Sequence, residues 1–160
     1  MKLRCGADCL GAELAASGAA PVAGRAVADL DLGGAVLTAV SDGPLVLPAG
    51  MAFSAMSQAE LGPIRVRLGL TGDTIAPVCN VTLMRAGGWV VLFDAGSEPN
   101  FMPTTGNLAA NLVAAGVAPE KVTDVVFTHA HSDHIWGVLD DFDDPLFPEA
   151  AYYIGQEEMN

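Results

Sequence analysis

A chain of 160 residues has room for one domain of ordinary size and little more. Nineteen acidic residues against seven basic ones give a formal net charge of −12, which argues against a nucleic-acid partner. No apolar run approaches the roughly 20 residues of a membrane span, and three cysteines (Cys5, Cys9, Cys79) are too odd a number for a closed disulfide framework.

Residues 1–29 form a separate N-terminal segment, in which thirteen of the first 28 positions are Ala or Gly. Such a stretch has few bulky side chains to offset its ordering entropy. Two readings stand. Lys2 and Arg4, the uncharged stretch 14–24 and Ala26-Val27-Ala28 make a poor secretory leader, interrupted by Asp8 and Glu13. The alternative is a flexible extension. Localisation is therefore open between the cytoplasm and the periplasm or secretion.

The ordered domain is expected over residues 30–160. Ala35 to Val40 reads as a strand closed by the turn signal Ser41-Asp42-Gly43-Pro44, with Leu45 to Leu47 as a second short strand. Met51, Phe53 and Met56 read as core packing. Ser57 to Leu68 has the pattern of a helix, interrupted at Gly62-Pro63. Val78 to Met84 and Trp89 to Phe93 flank Arg85-Ala86-Gly87-Gly88, the clearest hairpin signal in the chain. Gly106 to Ala115 places Leu108, Leu112 and Val113 at helical spacing before a stop at Gly116. Val122 to Phe127 is a buried strand. Strands and helices in this order predict an α/β layer.

That last strand runs into Thr128-His129-Ala130-His131-Ser132-Asp133-His134, which holds all three histidines of the chain within six positions. Side chains at i and i+2 of extended backbone point the same way, so His129 and His131 can present two imidazoles to one point. A helix capped by Ser132 and starting at Asp133 would turn the chain and bring Asp133 and His134 to the same cavity. Imidazole nitrogen and carboxylate oxygen suit Zn²⁺ first, with Mn²⁺, Fe or Co as alternatives. Downstream, Trp136 reads as core packing and Gly137 as a point of close approach. Asp140, Asp141, Asp143 and Asp144 read as a solvated turn ended by Pro145, and Glu157 and Glu158 as exposed helix residues.

The run His129-x-His131-x-Asp133-His134 resembles the HxHxDH signature of the metallo-β-lactamase fold hydrolases, and Leu92-Phe93-Asp94-Ala95-Gly96 resembles that family's preceding motif. The likeness spans about residues 30–160 and is closest in flavour to the lactonase and methyl parathion hydrolase-like branch. It implies the N-terminal half of an αββα sandwich, a mixed β-sheet with flanking helices. It also implies two zinc ions, His129 and His131 on the first, Asp133 and His134 on the second, with Asp94 beneath them orienting the loop. A metal-bound hydroxide would cleave an ester-like bond of a small-molecule substrate, such as a lactone or phosphotriester, and Asp133 would be catalytic by orienting it or passing its proton. Loops like that of Met51, Phe53 and Met56 line a substrate entrance in some relatives. The pattern also calls for two further histidines and a bridging aspartate from a second half, and no histidine follows His134. The chain is accordingly expected to be a fragment that is inactive alone and prone to self-association. A glyoxalase II-like thioesterase and a non-catalytic metal-binding or interaction half-domain are the competing readings.

Overall fold

The structure, a computed structural model, describes residues 29–98, 100–140 and 142–159. The leader-like segment lies outside the described residues, except for Asp29. In chain order the elements are β1 (Asp29–Asp31), β2 (Ala35–Pro44), β3 (Leu47–Pro48), α1 (Ala49–Ala52), α2 (Gln58–Arg67), β4 (Thr74–Ile75), β5 (Val78–Ala86), β6 (Trp89–Phe93), α3 (Leu108–Ala114), β7 (Asp124–Val126), α4 (Ser132–Ile135) and β8 (Ala151–Tyr153). Short 3₁₀ turns occupy Pro119–Lys121, Trp136–Val138 and Gln156–Met159. The described elements fall into two compact units, a small one over residues 46–77 and a larger one built from residues 29–45 and 78–159.

The larger unit is a six-stranded mixed sheet in the order β1-β2-β5-β6-β7-β8. β1, β2, β5 and β6 pair antiparallel, whereas β7 lies parallel to β6 and β8 parallel to β7. The expected hairpin is present, with Ala86 opposite Trp89 across Gly87 and Gly88. Both glycines have positive φ, 54° and 96°, the backbone that a two-residue turn needs to follow the strand twist and that a Cβ would resist. Helix α3 lays Leu108 and Leu112, one turn apart, against the sheet, while Val113 is exposed. These leucines meet Val40, Leu83, Leu92 and Val125 in the core. Each such side chain taken fully out of water contributes roughly 1.5–3 kcal/mol. The mixed α/β architecture expected from the sequence is thus the observed one.

Four local expectations differ. The Ser41-Asp42-Gly43-Pro44 signal does not end the strand: β2 continues to Pro44 through a bulge, where the pairing steps from Ser41 with Asn80 to Gly43 with Cys79. Residue types that favour a turn serve here to insert one extra residue into a ladder. In the smaller unit, α2 runs through Gly62-Pro63 instead of stopping there. Pro63 removes one helical N–H donor, and a complete capping box at Ser57 and Glu60 secures the N-terminal turn. The short strand expected at Leu45 to Leu47 survives only as Leu47–Pro48, paired with β4. Met51 is exposed rather than packed. No helix among the described residues is long and apolar enough to cross a membrane.

Candidate metal centre

The histidine segment leaves the sheet where the parallel strand β7 ends, and in α/β sheets that edge is where ligand-binding loops gather. β6 ends beside it, and Asp94 follows directly. Its amide still donates to the Val126 carbonyl (3.0 Å), but its φ of 71° turns the chain out of the strand. Asp tolerates this left-handed backbone better than most side chains. The buried carboxylate is thereby directed under the segment. Asp94 Oδ1 accepts from the Thr128 amide (2.7 Å) and from Thr128 Oγ1 (3.0 Å), and Oδ2 accepts from Thr128 Oγ1 (2.9 Å). Oδ2 also lies 2.9 Å from Nδ1 of His134. A carboxylate there holds the proton on Nδ1 and leaves Nε2 as the free donor, the usual arrangement behind a ligating imidazole.

His131 lies in extended backbone (φ −74°, ψ 150°); the His129 and His131 ring centroids are 4.4 Å apart and those of His129 and His134 are 4.0 Å apart. Asp133 Oδ2 is 3.5 Å from His134 Nε2. All four side chains named from the sequence therefore sit together. Ser132 differs from expectation: it is the first residue of α4, and the cap position is held by His131, whose carbonyl accepts from the amides of His134 (3.0 Å) and Ile135 (3.1 Å). His131 is extended there, so the turn comes from its backbone, without a side-chain cap. α4 is fastened to the chain after Asp94 by two backbone bonds, Ala95 N to His134 O (2.8 Å) and Gly137 N to Gly96 O (3.1 Å). Gly137 is the close approach anticipated, since a Cβ on it would lie 2.1 Å from the Ala95 carbonyl oxygen. Trp136 is not core: it is 47 % exposed and meets Phe101 edge-on at 5.6 Å. Its position just past α4 turns it away from the sheet.

The donor chemistry of this cluster suits zinc, and Asp94 supplies the supporting hydrogen bond such a ligand needs. Its number does not close a shell. Among the described residues no group of three or more His, Cys, Asp or Glu converges as ligands on one ion, and His129 and His131 meet edge to face, with 74° between their planes. Four donors from one six-residue segment stand side by side more readily than around a common centre. Cys79, half-buried on β5, points its thiol at the Asp133 carbonyl (Sγ to O 3.5 Å). Burial first, and then the neighbouring carboxylates Asp42, Asp133 and Asp94, push this thiol up to about 12, so without a metal it stays protonated at neutral pH.

A sequence profile of the metallo-beta-lactamase superfamily matches residues 74–140, which take in Asp94 and the whole histidine run. Mouse (Mus musculus) metallo-beta-lactamase domain-containing protein 1 is 48 % identical over an alignment covering 54 % of this chain and 39 % of its own. Two solved structures superpose well. AidC, a dizinc quorum-quenching lactonase, has 29 % identity and a TM-score of 0.75 over 82 % of this chain. The hydrolase AbOPH has 27 % identity and a TM-score of 0.72 over 81 %. The chain thus resembles the metallo-β-lactamase superfamily in sequence over residues 74–140 and in fold over about four-fifths of its length. It spans 45 % of the length of AidC and 44 % of that of AbOPH, less than half in either case.

Two carboxylates that brace the chain around this cluster carry no motif that marks them in the sequence. Asp42, at the β2 bulge, is fully buried. Its Oδ2 accepts from the Ser97 amide (2.9 Å) and hydroxyl (2.8 Å) and its Oδ1 from the Leu108 amide (3.0 Å), tying the loop after Asp94 to the start of α3. Glu158 Oε2 accepts from the Ala130 amide (3.0 Å), between the first two histidines. The Ser41-Asp42-Gly43 signal hinted at a constrained Asp42, whereas nothing local marks Glu158.

Proposed function

We propose that this chain carries the histidine-rich part of a dinuclear metal centre in a hydrolase that opens a lactone or phosphotriester. The observation that carries the reading is Asp94 beneath the cluster, holding Thr128 and the Nδ1 of His134 at once. A structural histidine has no need of such a carboxylate-oriented imidazole beside two more rings. His129 and His131 would hold one ion, and Asp133 and His134 the other. When bound, divalent ions, zinc in the first instance, supply Lewis acidity and lower the pKa of water toward neutrality. Within this chain, Asp94 fixes ring orientation, and Asp133, beside His134, is placed to accept a proton or pass one to a leaving group. The likeness to the dizinc lactonase AidC supports a lactone substrate, and that to the hydrolase AbOPH supports hydrolysis more generally. The chain contains three histidines and no more, so the proposed centre draws its remaining ligands from polypeptide outside this sequence.

A panel of lactones and phosphotriesters, assayed with chelator and after zinc is restored, tests the reading on the longest protein that contains this sequence. Hydrolysis removed by chelator, regained with zinc and lost in His131→Ala supports it. Turnover indifferent to both chelator and His131→Ala overturns it.

A further inference from the structure

A side-chain acceptor from far along the chain engages the backbone between His129 and His131. β7 and β8 pair in parallel with Val126 opposite Tyr153, and the Phe127 amide donates to the Tyr153 carbonyl (2.8 Å). Parallel pairing makes the two exits run side by side, so the residues after Tyr153 accompany the histidine segment. The 3₁₀ turn Gln156–Met159, closed by Glu158 N to Gly155 O (3.0 Å), then swings Glu158 onto the segment. Its Oε2 lies 3.0 Å from the Ala130 nitrogen. Asp94 holds the segment at Thr128, on one side of His129; Glu158 holds it at Ala130, on the other.

We propose that Glu158 is a positioning residue that fixes the peptide between His129 and His131 and so sets the spacing of the two imidazoles. The inference rests on the metal-centre reading above for its purpose but not for its geometry. An ionised carboxylate accepting from an amide makes one of the stronger single hydrogen bonds available to a backbone. Carboxylates on the Thr128 and Ala130 amides restrict the φ/ψ pairs of Thr128 and His129, and the Ala130 bond fixes the plane of the peptide that follows His129. Glu158 is exposed and its carboxylate is bound to the Ala130 backbone amide, so its effect reaches a bound ion through the loop.

The experiment compares Glu158→Ala and Glu158→Gln with the parent by amide exchange at Ala130 and by Co²⁺ titration followed in the visible spectrum. Glu158→Ala should speed Ala130 exchange on the order of tenfold, weaken Co²⁺ binding by about tenfold and alter the ligand-field bands. Glu158→Gln, which keeps an acceptor oxygen, should recover most of both. Unchanged Ala130 exchange in Glu158→Ala overturns the inference, as does weakened binding that Gln fails to rescue. If the parent takes up no Co²⁺, the metal-centre reading fails, and Ala130 exchange alone decides the role of Glu158.

Discussion

Asp94 combines two demands that few residues meet together. Its backbone lies at φ 71°, and its carboxylate serves Thr128 twice over and His134 once. Asp94→Ala loses the acceptors and places an L side chain without local hydrogen bonding in left-handed backbone. It leaves the part-buried Thr128 amide unpaired, at a cost of about 1–3 kcal/mol, with about 1 kcal/mol more from the backbone. Asp94→Asn keeps the backbone preference and one acceptor oxygen, so its loss in urea unfolding should be about half as large. Metal affinity should fall 10- to 100-fold in either variant, because His134 then loses its fixed tautomer. An Asn variant as unstable as the Ala variant would show that charge, and not acceptor count and backbone, dominates here. Asp94 was legible from sequence because a strand, an Asp and a Gly adjoin. Asp42 was not: as a string, Ser41-Asp42-Gly43 reads the same whether it ends a strand or bulges within it, and only pairing with β5 decides.

At the scale of elements, two contacts make separable predictions. Helix α2 starts on a reciprocal cap: Ser57 Oγ and Ser57 N donate to Glu60 Oε2 (2.6 and 2.9 Å), and Glu60 N donates to Ser57 Oγ (3.4 Å). The Ser57 hydroxyl, and after it the Ser57 amide, hold Glu60 below the ordinary carboxylate value. A depressed carboxylate stabilises the helix above the unfolded-state pKa of about 4.3, and the benefit is lost as pH falls through the folded value. Protection of the Glu60 and Leu61 amides should therefore weaken below about pH 4. Ser57→Ala should weaken it on the order of fivefold at neutral pH and flatten that acid response; an unflattened response would assign it to another group. The second contact is Gly137, where a Cβ meets the Ala95 carbonyl oxygen at 2.1 Å. That atom is backbone and cannot swing away. Gly137→Ala should cost about 2–3 kcal/mol in urea unfolding and loosen α4 against the chain after Asp94, lowering metal affinity as well. A variant as stable as the parent would mean that α4 is not held at this distance. Gly137 was readable as a close approach because it is a glycine beside the motif; Trp136 misled because an aromatic next to a motif helix is usually buried, and here it lies edge-on to Phe101.

On the scale of the larger unit, what the sequence could not convey is register. The histidine run is local, so its chemistry is written in six consecutive positions; Glu158 reaches it through the parallel pairing of β7 with β8, and that pairing leaves no trace in residues 156–159 themselves. Among the described strands β8 is an edge of the sheet, with Ala151, Tyr152 and Tyr153 exposed and Tyr153 open over 51 % of its surface. An edge that offers unpaired backbone groups beside exposed aromatics is a template for another strand. A net charge of −12 opposes association. The two effects respond differently to salt. The Debye length is about 30 Å near 0.01 M ionic strength and about 10 Å at 0.1 M, so added salt removes the repulsion and leaves the apolar and backbone contacts intact. Sedimentation velocity should therefore show association that grows with protein concentration and with ionic strength. Tyr153→Lys places a charge on the edge strand and should reduce it without changing the fold. Association that declines as salt is added would mean that charge pairing, and not the β8 edge, draws the copies together, and a monomer at every concentration and salt would mean that this edge is protected.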